Sequence, residues 1–126
     1  MKTVCVDLDG TLAQYDGWKG LDHIGDPIHG AKEFLHELKS IPVRVVIWTT
    51  RTNSDLNKES TDKLKARVIE WLNRHNLPFD DVSTDEAKLL CLAFVDDRAI
   101  TCRPQDGIYT YRTALHQIKG LLDYHE

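Results

Sequence analysis

Two aspartates, Asp7 and Asp9, close the first apolar run of the sequence. Thr3-Val4-Cys5-Val6 has the character of a short buried strand, and side chains two apart on an extended segment point the same way. Asp7 and Asp9 are therefore expected to face one site together at the carboxyl end of a strand, where Gly10 lets the chain turn away. Carboxylates held side by side repel each other, so the pair calls for a shared proton or a cation between them. Three further groups stand at comparable places: Thr49-Thr50-Arg51 after a second apolar run, Lys88 before a later run, and Asp96-Asp97-Arg98 at its end. A carboxylate nucleophile, a second acid, hydroxyl donors, a lysine and acids for a metal ion together meet the demands of phosphoryl transfer from a monoester. Taken singly, each has a plainer reading: Asp-Gly is a common turn dipeptide, and Lys88, Arg51 and Arg98 could be solvated surface charges.

The elements that must position these groups follow from periodicity. Ala31 to Ser40 reads as a helix, with Ala31, Phe34, Leu35 and Leu38 on one face, and Pro42 bars its continuation. Val43 to Trp48 is β-branched and mostly apolar, as in a buried parallel strand. Asn53 to Ser60 reads as a polar loop. A helix from about Thr61 to Asn73 carries Leu64, Val68, Trp71 and Leu72 as its apolar stripe. Leu77-Pro78-Phe79 and Val82 suggest a short third strand or connector, Leu89 to Val95 a fourth strand, and Ala99 to Cys102 another short one. Tyr111, Leu115, Ile118 and Leu122 outline a last helix. Strands alternating with helices imply an open parallel sheet with helices on both faces, and such sheets bind ligands beyond the carboxyl ends of their strands. Asp7, Thr49 and Asp97 all fall at those ends. Between the first strand and first helix lies a long loop, Ala13 to Gly30; loops of that length are usually functional or mobile. Its Trp18, Lys19 and His23 are expected beside the substrate, with Lys19 the best candidate for an anionic group; the alternative is a flap in which Tyr15 and Trp18 only cover the edge of the core.

The string Asp7-x-Asp9-Gly10-Thr11-Leu12, directly after a hydrophobic strand, resembles the first motif of the haloacid dehalogenase (HAD) superfamily, most of whose members are phosphohydrolases. The later groups resemble its remaining motifs in order: Thr49 (or Thr50) the motif II hydroxyl, Lys88 the motif III lysine, and Asp96-Asp97 the acidic motif IV. The resemblance spans Val4 to Arg98. It implies a three-layer Rossmann-like fold, with Asp7 as nucleophile forming an aspartyl-phosphate and Asp9 as general acid/base. It also implies Mg²⁺ held by Asp7, the backbone carbonyl of Asp9, and Asp97, with Asp96 in support. Substrate contacts are expected from Thr50, Arg51, Lys19 and Trp18. Dehalogenases and ion-pumping ATPases of the family lack an acid at the position of Asp9, so its presence points to monoester hydrolysis or mutase chemistry. No segment is left over for a cap domain, so the resemblance is to the small capless phosphatases. Lys88 lies closer to Asp96 than is common in the family.

The totals bound these readings. With 126 residues, 41% hydrophobic and 29% charged, the chain suits one domain, residues 1–126, with one core. A formal charge of −4 disfavours a nucleic-acid-binding surface. No apolar run approaches the roughly 18 residues that would span a membrane, and the N-terminus shows no leader pattern. Three cysteines without metal-ligand spacing fit a reducing cytoplasm. The expected partner is a small phosphorylated substrate, with sugar phosphates, nucleotides and nucleic-acid ends all open. A site without a cap is either exposed or covered by a neighbouring subunit, which leaves a homo-oligomer open too. The rival readings are a receiver-like phospho-aspartate switch and an inactive binding module of the same fold. The order of the acids argues against a receiver, which carries an adjacent pair at its first strand and a lone acceptor at its third.

Overall fold

In the computed structural model, which describes residues 1–84 and 89–125, the apolar runs become a four-stranded sheet. β1 (Lys2–Val6) and β2 (Val43–Ile47) pair in parallel along their whole length, from Lys2 opposite Val43 to Val6 opposite Ile47. β3 (Asp81–Val82) extends the sheet beyond β2, and β4 (Ala93–Val95) joins the free side of β1, also in parallel. The order is β3-β2-β1-β4. This is the expected Rossmann-like open parallel α/β sheet, with no cap among the described residues.

α1 (Ala31–Lys39) connects β1 to β2, and α3 (Thr61–Arg74) connects β2 to β3. Both crossovers step the same way across the sheet, so right-handed connections place both helices on the same face. The core confirms this: Val4 and Val6 of β1 and Val43, Val45 and Ile47 of β2 cluster with Ala31 and Leu35 of α1 and with Val68, Trp71 and Leu72 of α3. α3 begins where the Ser60 side chain accepts a hydrogen bond from the Lys63 N–H, replacing a partner that the first turn of a helix lacks. The opposite face presents Thr3, Arg44 and Val46 to the segment carrying Leu89 and Leu90, around a cavity of about 270 Å³. α4 (Thr110–His125) follows β4 and packs on the 3₁₀ turn Pro104–Asp106, leaving Leu115, Ile118 and Leu121 exposed. Helical cover on the second face is thus thinner than alternation alone implies.

Two local expectations change. The polar stretch Asn53 to Ser60 holds a one-turn helix, α2 (Ser54–Asn57), because the Asn53 side chain caps it by accepting from the Leu56 N–H at 3.0 Å. Ala99 to Cys102 forms no strand. The Asp96 side chain accepts from the Arg98 N–H at 2.8 Å, a local turn that carries the chain off the sheet after β4. The apolar run before it pairs over Ala93–Val95 only, with Leu90 and Leu92 left in solvent. Among the described residues no helix is long and apolar enough to cross a membrane.

Leu72 is fully buried between α3 and the sheet, away from the carboxylates. Leu72→Ala is expected to cost about 2–5 kcal/mol, read as a lowered urea midpoint with an unchanged m-value.

Candidate active site

The sheet brings the acids together through one backbone bond: the Asp7 N–H donates to the Val95 carbonyl at 2.9 Å. That bond aligns the end of β1 with the end of β4, so Asp96 and Asp97 leave their strand beside Asp7. The Leu8 carbonyl then accepts from the N–H groups of Thr11, Leu12 and Ala13 within 3.2 Å, folding the chain back at once. Gly10 sits at the turn with φ +84°, and a Cβ there would lie 2.4 Å from an Asp97 carboxylate oxygen. Both the backbone angle and the close approach require glycine. Thr11 completes the junction, its hydroxyl oxygen accepting from the Asp97 N–H at 3.1 Å.

Asp7, Asp96 and Asp97 each offer a carboxylate oxygen within 4.8 Å of the others. The Asp7 carboxyl is pushed up to about 7, first by burial and then by the charges of Asp96, Asp97 and Asp9; a hydrogen bond from the Leu8 N–H opposes the shift. Repulsion of this kind is relieved by a cation, and three carboxylate oxygens are ligands suited to hard Mg²⁺. The residues present therefore fit a divalent metal held by Asp7, Asp96 and Asp97. The Asp9 carboxylate is not part of that cluster.

Asp9 instead faces Arg51. The guanidinium donates Nε to Oδ2 at 2.7 Å and Nη2 to Oδ1 at 3.0 Å, a two-pronged pair. The same Nη2 donates to the His23 carbonyl at 2.9 Å, and Nη1 reaches the Leu21 carbonyl at 3.5 Å. The guanidinium carbon lies 4.8 Å from the centre of the Trp18 ring, within cation–π range. Arg51 is only 4% exposed. It was expected among the substrate contacts, but its fork is already engaged with Asp9 and with the loop. Its own N–H donates to the Thr49 hydroxyl oxygen at 3.2 Å, fixing that side chain at the end of β2.

A cavity of about 260 Å³ opens above these groups, lined by Asp7, Asp9, Thr49, Thr50, Asp96, Arg98, Tyr15, Trp18 and Trp48. Seven expected site residues meet here: Asp7, Asp9, Thr49, Thr50, Trp18 and Asp96 in the lining and Asp97 in the carboxylate cluster. Lys19 does not join them. It pairs with Asp16 at 3.0 Å and borders a separate hollow with Gln14 and Asp26. Lys88 lies outside the described residues. Sequence reasoning passed over Trp48, Tyr15 as a lining residue, and Thr11 as the partner of Asp97. Thr11 was legible in principle, because it belongs to the same unbroken motif; Trp48 was hidden by its place in an apolar run.

No protein-family model and no curated protein matches the chain. Two solved structures are similar to it. One, a conserved protein from Bacteroides thetaiotaomicron, is 27% identical with a TM-score of 0.58, the match covering 79% of this chain and 78% of that one. The other, an MCSG target from Vibrio cholerae, is 26% identical with a TM-score of 0.52 over the whole of both chains. The fold and the site together define a small α/β open-sheet protein with a carboxylate cluster at the carboxyl ends of its adjacent strands β1 and β4.

The raised Asp7 carboxyl has a signed consequence. Its folded value exceeds the unfolded one, so the native state loses stability as pH rises from about 4 to about 7. With metal removed by chelator, Asp7→Asn is expected to raise the melting temperature at about pH 8 and to leave it nearly unchanged at about pH 4. An equal shift at both pH values would show that the Asp7 carboxyl is not raised in the folded chain.

Proposed function

We propose that the chain is a Mg²⁺-dependent phosphomonoester hydrolase of the HAD type, working through an aspartyl-phosphate on Asp7. The observation that supports this best is the position of Asp7, which belongs to a three-carboxylate cluster and also lines a cavity with the Thr49 and Thr50 hydroxyls. A bound Mg²⁺ would offset the repulsion between the attacking carboxylate and the phosphate and polarise the phosphoryl oxygens.

The residues have distinct tasks. An Asp7 oxygen attacks phosphorus as the bond to the leaving oxygen breaks, and Asp9 gives that oxygen its proton. Water then attacks the phospho-aspartate, its proton passes to Asp9, and the bond between phosphorus and Asp7 breaks to restore both acids. The hydroxyls of Thr49 and Thr50, which line the cavity, donate to phosphate oxygens in this reading. Lys88, matched to the motif III lysine, is assigned the charge that balances Asp7 and the phosphate. In the present arrangement both Asp9 oxygens accept from Arg51, so acid catalysis needs one of them to leave the fork. That engagement is also the observation favouring the second reading, a binding module of the same fold that lacks turnover. A cytoplasmic setting agrees with three cysteines that form no disulfide.

The test is phosphate release from aryl and alkyl phosphates with Mg²⁺ and with excess chelator. Many turnovers with the metal and none without it are expected. Asp9→Asn should slow alkyl phosphates by about 10²–10⁴-fold and aryl phosphates, whose leaving groups need no proton, by much less. Full activity in chelator would remove the metal from the mechanism, and equal deficits for the two classes would remove Asp9 as the acid. A protein that takes up at most one phosphoryl group per chain would be a switch.

A further inference from the structure

We propose that the cavity selects phosphomonoesters whose leaving group carries a planar aromatic ring, with Trp18 as the platform on which that ring stacks. The inference rests on the phosphatase reading and deepens it by naming a substrate class.

Three aromatic side chains, Tyr15, Trp18 and Trp48, line the same small cavity as Asp7. Trp18 is 53% exposed although it stands on a loop rather than in the core. An indole in water is unfavourable, and on a free loop it would adopt many orientations. Here the ring is held. Arg51 covers one face at 4.8 Å, and Arg51 is itself buried and tied to Asp9 and to the His23 carbonyl, on the same loop as Trp18. One face of the indole is thus fixed against a cation, which leaves the other for a flat partner at little further entropic cost. The rest of the described lining leaves little for further recognition of the ester. It consists of the carboxylates of Asp7, Asp9 and Asp96, Arg98 and the Thr49 and Thr50 hydroxyls, and the proposed chemistry already uses the carboxylates and both hydroxyls. One of these, Thr49, already accepts a hydrogen bond from the Arg51 N–H. At about 260 Å³ the space falls just below the roughly 300–1,000 Å³ of drug-sized sites, which fits a phosphate and one ring system. Stacking on an aromatic side chain is worth about tenfold or more in affinity per ring.

The test compares esters that differ in the ring and not in the alkoxide. With the full chain and Mg²⁺, kcat/KM is measured for 2-phenylethyl phosphate against 2-cyclohexylethyl phosphate, and for a nucleoside 5′-monophosphate against ribose 5-phosphate. The aromatic member of at least one pair should be preferred by about tenfold. The pair that shows the preference distinguishes a simple aryl group from a nucleobase. The preference should fall to near unity in Trp18→Ala and survive largely in Trp18→Phe, which keeps a flat ring. If phosphate is released but neither pair shows a preference, or the preference is unchanged in Trp18→Ala, the inference is overturned and the phosphatase reading stands. If no ester of either pair is hydrolysed by the wild-type chain, both are overturned.

Discussion

Asp7, Asp96 and Asp97 converge at the carboxyl ends of the neighbouring strands β1 and β4, with Asp9 beside them in the same cavity, and the crowding of these four carboxylates is the constraint around which the rest is built. The protein meets it in two different ways. Asp9 is turned into a two-pronged pair with a buried arginine, at 2.7 and 3.0 Å. Asp7, Asp96 and Asp97 are left converging, and the Asp7 carboxyl is driven up to about 7, by burial first and by the neighbouring charges after it. Removing either partner of a buried pair is costly because the other charge is left uncompensated, so Arg51 and Asp9 are bound to each other as structure as well as chemistry. Gly10 belongs to the same constraint, since the Asp97 carboxylate packs where a Cβ would stand.

The long loop between β1 and α1 is anchored at both of its sides. On the site side Arg51 holds the His23 carbonyl and stacks on Trp18. On the helix side the Trp71 indole N–H donates to the Gly25 carbonyl at 3.0 Å, and Arg67 of α3 pairs with Asp22. The loop also bonds back on itself, with the Gln14 N–H donating to the Asp26 carbonyl and the Ile28 N–H to the Leu12 carbonyl, each at 2.8 Å. Gly25 packs so closely on Gln14 that a Cβ would lie 2.0 Å from its carbonyl oxygen. Helix α3, the loop and the turn that carries Asp9 are therefore joined by named polar contacts.

Much of this was legible in the sequence because it is written in local pattern. The β-branched runs gave β1 and β2, the stripe of Leu64, Val68, Trp71 and Leu72 gave α3, and the positions of Asp7, Asp96 and Asp97 at strand ends placed them together. What could not be read depends on long-range partners. Whether Arg51 meets a substrate or Asp9 is decided by a contact across 42 residues of chain, and arginine serves both purposes with the same fork. Lys19 looked available on the loop but satisfies Asp16 three residues away. Ala99 to Cys102 has strand-like composition, yet the turn at Asp96 leads it off the sheet. The apolar stripe of α4 predicted the helix correctly and said nothing about what it packs against.

The proposed function requires Asp7, Asp96 and Asp97 to hold a divalent ion that relieves their repulsion. Isothermal titration of Mg²⁺ into the metal-free chain tests this without any substrate. Saturable binding is predicted for the wild type, weakened by about tenfold or more in Asp97→Asn, in line with the loss of a ligand carboxylate from a small oxygen site. Absence of binding in the wild type, or binding of equal strength in Asp97→Asn, would contradict the account.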